Sequence, residues 1–336
     1  MTGPGAARVA IVIPTFNSVR TLGGAVRSAL AQDYPSTRVI VVDDGSVDAT
    51  RALLDGFPSV TVLRQPNGGP ASARNRGWRE AAGSEFVFFL DADCVAPPDW
   101  VSRLLPFHEE EGTGCVGTVY GLANPGSLLA RTVYREFVRR YEFCGDHPSF
   151  VGTHGCSFRR AVLEELGGFD ESYRRASHED NDLSWRILRS SRRLRLVRTV
   201  AVHHHFPENL RSYLRTQGRH GYWRMKCLRA HPAGIAGDDY SNLCDYLQPP
   251  LLVAGTALLL AWASSSAAGE AGLAAIGAAV ALQAPVLAGM GPVGSPAGER
   301  LFYALLLGPS RALARGIGML AGVARFWIPV RFSGKG

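Results

Sequence analysis

The stretch that most constrains this chain is Phe86 to Leu90, five apolar residues closed by Asp91-Ala92-Asp93. A short, wholly apolar run of that kind fits a strand buried on both faces, as in the interior of a parallel sheet. In open α/β sheets, ligands bind outside the carboxyl ends of the strands. Two acids spaced i, i+2 at such an end can share one divalent cation with a phosphate. Alone, they fit a solvated strand-end turn equally well.

The same scheme recurs upstream. Residues 8–14 predict a buried strand that Pro14 ends, and the polar turn Thr15-Phe16-Asn17-Ser18 leads into a helix over about 19–32. Residues 38–43 predict a second strand closed by Asp43-Asp44-Gly45-Ser46, with a helix over about 50–56. A strand at 60–63 and a helix at about 71–82 complete the series. Strands alternating with helices at this spacing give βαβ units and a mostly parallel sheet. Right-handed crossovers then bring three polar strand ends into one crevice: 15–17, 43–46, and Asp91 with Asp93.

A dinucleotide fold is excluded, because Pro-Thr-Phe-Asn stands where a Gly-x-Gly-x-x-Gly loop would be. A phosphate-binding Gly-x-x-x-x-Gly-Lys loop is also absent. A bound nucleotide must therefore be held by side chains and a cation, which reverses the repulsion between acids and phosphates.

Downstream, the pattern predicts a helix over about 97–111, a strand at 115–122 and a helix at 128–143. A Gly-broken, strand-like segment at 150–158 carries His154, and a helix follows at 159–166. His178-Glu179-Asp180-Asn181-Asp182 sits just ahead of a predicted helix at 183–189. Acids favour a helix N-terminus, but three of them exceed what capping needs. A strand at 195–202 is followed by His203-His204-His205, a cluster suited to a metal or phosphate contact.

Bulk properties set further bounds. The formal net charge of +7 is carried almost wholly by Arg, which suits an anionic substrate or membrane surface. No zinc-finger spacing or nucleic-acid motif accompanies that charge, so no nucleic-acid partner is expected. The six cysteines show no CxxC pattern and read as reduced thiols. No signal peptide is expected at residues 1–7.

Taken in order, Ile-Pro-Thr-Phe-Asn, Val-Val-Asp-Asp-Gly-Ser, Ala-Arg-Asn-Arg-Gly (73–77), Leu-Asp-Ala-Asp, Gly-Gly-Phe-Asp and His-Glu-Asp-Asn-Asp-Leu closely resemble the family 2 glycosyltransferases. The resemblance covers about residues 8–225. It implies a Rossmann-like A-type α/β domain with a nucleotide-sugar half (about 8–95) and an acceptor half (about 96–210). By that resemblance Asp44 contacts the base of a nucleotide sugar, Pro14 and Thr15 line its pocket with Asn17 beside them, and Arg74 faces the nucleotide. Asp91 and Asp93 match the Asp-x-Asp motif, with Asp93 the main ligand to Mg2+ or Mn2+ and His205 a further contact. Asp180 matches the catalytic base. Glu179, His154 and Trp223 are candidates on the acceptor side.

Independent chemistry agrees with that division. A leaving diphosphate needs its charge neutralised, and an acceptor hydroxyl needs a base on the other side of the sugar. A single displacement of this kind inverts the anomeric centre. The reading is a metal-dependent inverting transfer from a nucleotide sugar, most simply a UDP-sugar, to a glycan or lipid-linked acceptor. A nucleotidyltransferase, a metal-dependent hydrolase using the three histidines, and a non-catalytic carbohydrate-binding protein are the alternatives.

Residues 211–226 resemble the basic Tyr/Trp-bearing segment of exopolysaccharide-assembling members with a membrane-bound C-terminus. Residues 211–247 are thus expected to form a basic interfacial segment, and 248–330 membrane helices. Residues 251–268 and 271–290 carry no charge and approach the roughly 20 residues a span needs, with a tip at Gly269-Glu270. Residues 301–323 contain Arg311 and Arg315, each costing about 2.5–3.5 kcal/mol mid-bilayer. An interfacial or re-entrant helix, or one whose arginines pair within the protein, is expected there. The implied location is the bacterial inner (plasma) membrane, with the catalytic domain cytoplasmic.

Overall fold

The structure, a computed structural model, describes residues 7–236, 243–289 and 297–328. The chain divides into two compact units, with the boundary between Phe206 and Pro207, earlier than the expected domain end near 225.

The first unit is built on one sheet of eight strands: β1 (Val9–Thr15), β2 (Thr37–Asp43), β3 (Thr61–Arg64), β4 (Phe86–Leu90), β5 (Cys94–Val95), β6 (Thr113–Leu122), β7 (Gly155–Arg159) and β8 (Arg193–His204). Their order is β3-β2-β1-β4-β7-β6-β8-β5. The first four strands in the chain are mutually parallel, β7 enters antiparallel to both β4 and β6, and β8 lies parallel to β6. The helices are α1 (Leu22–Leu30), α2 (Thr50–Leu54), α3 (Pro70–Glu80), α4 (Trp100–Leu104), α5 (Leu128–Phe143), α6 (Arg160–Leu166) and α7 (Glu179–Arg189).

Strand alternation separates two cores. Val9, Ile11 and Ile13 of β1 face α1 and α4 through Leu22, Val26 and Trp100. Ala10 and Val12 face the opposite layer, with Ala71, Trp78, Leu163 and Ile187 of α3, α6 and α7. α3 lies so close to β1 that a methyl group at Gly77 would collide with Val12. The parallel register sets Thr15 opposite Asp43 and Val12 opposite Phe89. The carboxyl ends of β1, β2 and β4 therefore open on one edge, as the alternation requires.

Three local expectations change. Residues 150–154 are not strand, and β7 begins at Gly155. α7 starts at Glu179, so the acids lie in its first turn, where the helix dipole favours them. β8 runs on through His204 because β5, too short to be read from its two residues, pairs Cys94 with His204.

The second unit holds α8 (Leu210–Ala230), α9 (Leu243–Leu260), α10 (Ser266–Ala281), α11 (Ala284–Gly289), α12 (Ala297–Phe302) and α13 (Gly308–Phe326). α9 and α10 form a hairpin, packed closely where a Cβ at Gly272 would lie 3.0 Å from the Gly255 carbonyl. Its tip is at residues 261–265, not Gly269-Glu270, because Ser265 caps α10 by accepting from the Ala268 N–H. Gly269 instead sits inside α10 against the Trp262 ring.

The expected spans at 251–268 and 271–290 are corrected accordingly. The 16 residues of α10 rise only about 24 Å. Among the described residues, no helix is long and apolar enough to cross a membrane. In the 301–323 segment the arginines pair within the protein. Arg311 donates to the Tyr303 hydroxyl at 2.8 Å, and Arg315 meets Gln217 at 2.7 Å and Asp245 at 3.2 Å.

Candidate functional site

The site is assembled at the carboxyl edge of β1, β2 and β4. Asn17 adopts a left-handed backbone (φ 52°) just past β1. Its side-chain oxygen accepts from Val47 N at 2.8 Å, and its own N–H donates to Ser46 Oγ at 2.9 Å. The two strand-end turns are thereby tied together. Pro14 is half-buried and Thr15 buried on the same edge.

Asp44 is buried and its carboxylate is already occupied. It accepts from Gln65 Nε2 at 2.7 Å, Gly68 N at 2.9 Å, Gly69 N at 2.8 Å and Asn67 Nδ2 at 3.1 Å. These bonds make Asp44 the anchor of the 65–69 loop. Among the described residues, the Asp43 carboxylate accepts only from Ser46 N, at 2.9 Å. Of the two acids, Asp43 thus has the freer carboxylate for a ligand group. Gly69, at φ +93°, has no room for a side chain, since a Cβ would fall 2.7 Å from the Arg174 carbonyl.

The middle of the site is an ion-pair chain. Arg74, on α3 and buried, donates to Asp91 at 2.7 Å and to Glu179 at 2.8 Å. Glu179 is buried too and accepts from Ser177 N at 2.7 Å through its other oxygen. Burial opposes the charge on Arg74, but the two carboxylates outweigh it and hold its pKa above the usual range. The next residue of α3, Asn75, clamps the Gly-Gly-Phe-Asp turn by exchanging bonds with the Phe169 backbone at 2.8 and 2.9 Å. Asp91 and Glu179, far apart in sequence, meet through one guanidinium.

Asp180 follows Glu179 and is half-buried. Burial first, and the adjacent Glu179 carboxylate second, push its pKa up to about 7, against a smaller opposing pull from Arg74. A carboxylate poised near neutrality suits general-base work. His178 before it is held at φ 65°. A non-glycine residue in that region costs about 1–3 kcal/mol, a strain often found at functional sites. Asp182 is otherwise engaged, at 2.8 Å from Arg186 Nε.

On the far side of Asp91, Asp93 lies 3.3 Å from His204 Nε2. Burial opposes both charges, but each outweighs it for the other: Asp93 stays below the usual carboxylate range and His204 above the usual imidazole range. The ligand atoms of Asp93, Cys94 and His204 lie within 4.8 Å of one another. The Asp93 oxygen and His204 nitrogen so placed fit a divalent cation, whereas burial and then the adjacent Asp93 push the Cys94 thiol well up, so that it keeps its proton. The three histidines are therefore distinguished. His204 turns its ring to Asp93, His203 faces Gly121, and His205 reaches Asp93 only through its backbone N–H, at 2.9 Å from the carbonyl. Alternation along β8 separates His203 from His204, a signal that a strand ending at 202 does not carry.

His154 is buried, stacked on Tyr120 with ring centroids 3.5 Å apart, and its carbonyl accepts from Asp91 N at 3.3 Å. Burial, then the nearby His204 charge, drive its pKa down to about 3. It is a neutral wall of the site at ordinary pH. Tyr120 also meets the His204 ring, at 5.4 Å. Trp223 belongs to the second unit, on α8, where it packs against Tyr222 and Phe326.

Residues 10–167 match the family model "Glycosyl transferase family 2". The chain is 29% identical over 279 residues to a pre-mycofactocin glycosyltransferase of Mycobacterium tuberculosis, an alignment covering 78% of this chain and 53% of that protein. The chain thus spans about half the length of this relative. A succinoglycan biosynthesis protein, ExoO of Rhizobium meliloti, is 39% identical over 100 residues, covering 29% of this chain and 28% of that one. Among solved structures, the mannosyltransferase PcManGT of Pyrobaculum calidifontis, in complex with GDP-Man and Mn2+, shares the fold. It superposes with a TM-score of 0.56 at 20% identity, covering 96% of this chain and 88% of that one.

Proposed function

We propose, on the match of residues 10–167 to the glycosyl transferase family 2 model, that the chain moves a sugar from a nucleotide-sugar donor, in the first instance a UDP-sugar, to a hydroxyl of a glycan or lipid-linked acceptor, inverting the anomeric carbon. The observation that carries this reading is the Asp91–Arg74–Glu179 chain, which ties the Asp180 turn to the Asp-Ala-Asp strand end.

In this mechanism the nucleotide lies along the ends of β1 and β2, beside Pro14, Thr15 and Asn17, with Asp43 free to accept from the base. Asp44 acts indirectly, by fixing the 65–69 loop. Asp93 and His204 would hold a divalent cation, Mg2+ or Mn2+, with Asp91 beside them, and the cation would supply charge neutralisation for a leaving diphosphate. Arg74 adds fixed positive charge at that end. Asp180 takes the acceptor hydroxyl proton as the acceptor oxygen bonds to the anomeric carbon. The bond to the diphosphate oxygen breaks, and the nucleoside diphosphate leaves with the electron pair. His154 and Tyr120 wall the acceptor side. The nucleotide-sugar half is residues 8–95 and the acceptor half 96–210, and the reaction belongs at the cytoplasmic face of the plasma membrane, where lipid-linked acceptors are presented.

The test is a screen of purified full-length protein against nucleotide sugars with Mn2+ or Mg2+, reading thermal shift and released nucleotide with and without acceptor. Acceptor-dependent release supports transfer. Equal release without acceptor would replace it with the hydrolase reading, and donor affinity unchanged by EDTA would sink the cation role.

A further inference from the structure

Within the second unit, α13 turns apolar side chains outward. On α13, Arg311, Gly316, Gly318 and Gly322 are buried, while Ile317 and Leu320, each 57% exposed, lie outward with Val323 and Trp327. At 100° per residue Ile317 and Leu320 lie on the face opposite Arg311, Gly318 and Gly322, while Gly316 packs separately on Pro249 of α9. An ordinary surface helix does the reverse, turning its charges outward and its apolar stripe to the core. The buried side carries the polar groups: Arg311 on Tyr303, Arg315 on Gln217 and Asp245, and Gln248 donating to the Ala279 carbonyl at 3.1 Å.

The neighbouring hairpin follows the same rule. Residues 251–298 hold one charge, Glu270. The outer face of α10 presents Ala271, Leu273, Ala274, Gly277, Ala278 and Val280. At the tip between α9 and α10, Leu260 is 81% exposed and Trp262 is exposed beside it. Among the described residues, thirteen of the nineteen exposed large apolar side chains lie in this smaller unit. An apolar exterior of that extent marks an interaction surface. Charge selects its occupant. From residue 207 onward there are twelve Lys and Arg against six Asp and Glu, so nearly all of the chain's +7 resides here. A basic, tryptophan-bearing unit with apolar outer faces complements an anionic lipid surface.

We propose that the second unit docks side-on into an anionic bilayer leaflet through the outer faces of α10, α13 and the 260–262 tip, without crossing it. This rests on the membrane-face location proposed above and says how the chain is held there. Helices too short to span can still lie in the headgroup–acyl boundary. Buried arginines paired inside the unit keep their charge away from the lipid.

The experiment is flotation of the full-length protein with vesicles of phosphatidylcholine containing about three parts in ten phosphatidylglycerol, and with phosphatidylcholine alone. Wild type should float with the anionic vesicles and less well with the neutral ones. Leu273→Glu combined with Leu320→Glu should lower the bound fraction about tenfold or more, with Tm and transfer to a water-soluble acceptor unchanged. A single-site Leu320→Glu variant serves if the double variant is unfolded. Wild type remaining unbound to both vesicles, or either folded variant floating as well as wild type, would overturn the docking. A wild-type dimer in light scattering that these variants dissociate, without vesicle binding, would assign the face to a second copy. Transfer to the soluble acceptor reads the chemistry separately, so loss of one reading leaves the other standing.

Discussion

Replacing Glu179 by Gln should move the pH profile of the reaction. Asp180 stands at about 7 for two reasons, burial being the larger and the Glu179 carboxylate the smaller. The substitution removes the smaller cause and leaves Arg74, whose pull favours an ionised Asp180, with one carboxylate partner fewer. Both changes act in the same direction. The base should fall from about 7 toward about 6, roughly 1.4 kcal/mol of added stability for the ionised form. A base works when ionised, so kcat/KM should rise with pH through this value. The acid limb of the variant should lie about one pH unit below that of wild type. The assay is nucleotide release against pH, from pH 5 to 8, at subsaturating donor and fixed Mn2+. Gln can still accept from Ser177 N or Arg74, so a folded variant is expected, checked by Tm. An acid limb that stays in place or moves up in a folded variant would refute the assignment of Asp180 as base with Glu179 setting its pKa.

Other outcomes follow from the same geometry. Asp180→Asn should cost about 10²–10⁴ in kcat while leaving Mn2+ and nucleotide binding by calorimetry as in wild type; unchanged turnover would remove the base. His204→Ala should abolish the thermal shift caused by Mn2+, and His205→Ala should retain it, because only the His204 ring meets Asp93. Asp44→Ala strands four donors and should destabilise the first unit by about 3 kcal/mol in urea unfolding; a loss of nucleotide affinity without destabilisation would restore a direct contact. Gly77→Ala forces a methyl toward Val12 and should cost about 1–3 kcal/mol by the same measure.

Much of the first unit was legible because its strands are short, apolar and punctuated. Phe86–Leu90 was read to the residue, and 128–143 as a helix likewise. The convergence of β1, β2 and β4 followed from alternation alone. What escaped was long-range pairing. A two-residue β5 has no periodicity to detect, yet its pairing sets the register of the three histidines. The adjacent pair Asp43-Asp44 gives no hint of which acid the 65–69 loop will occupy. In the second unit, low charge was visible, but composition does not report which way residues face. Charge-free runs read as spans proved shorter and turned at Ser265, where a capping hydroxyl outweighed apolar continuity.

The single turn of α3 from Arg74 to Gly77 sets a limit on how this chain can vary. Arg74 reaches Asp91 and Glu179, Asn75 holds the Phe169 turn, and Gly77 admits Val12. Each helical residue turns the next by about 100°. Inserting or deleting one residue within this turn would rotate the residues on either side by about 100° relative to one another, so that not all of them could keep their partners. Neither a longer side chain nor a shifted loop could restore them at once. The spacing, more than any one of the residues, is what this segment encodes.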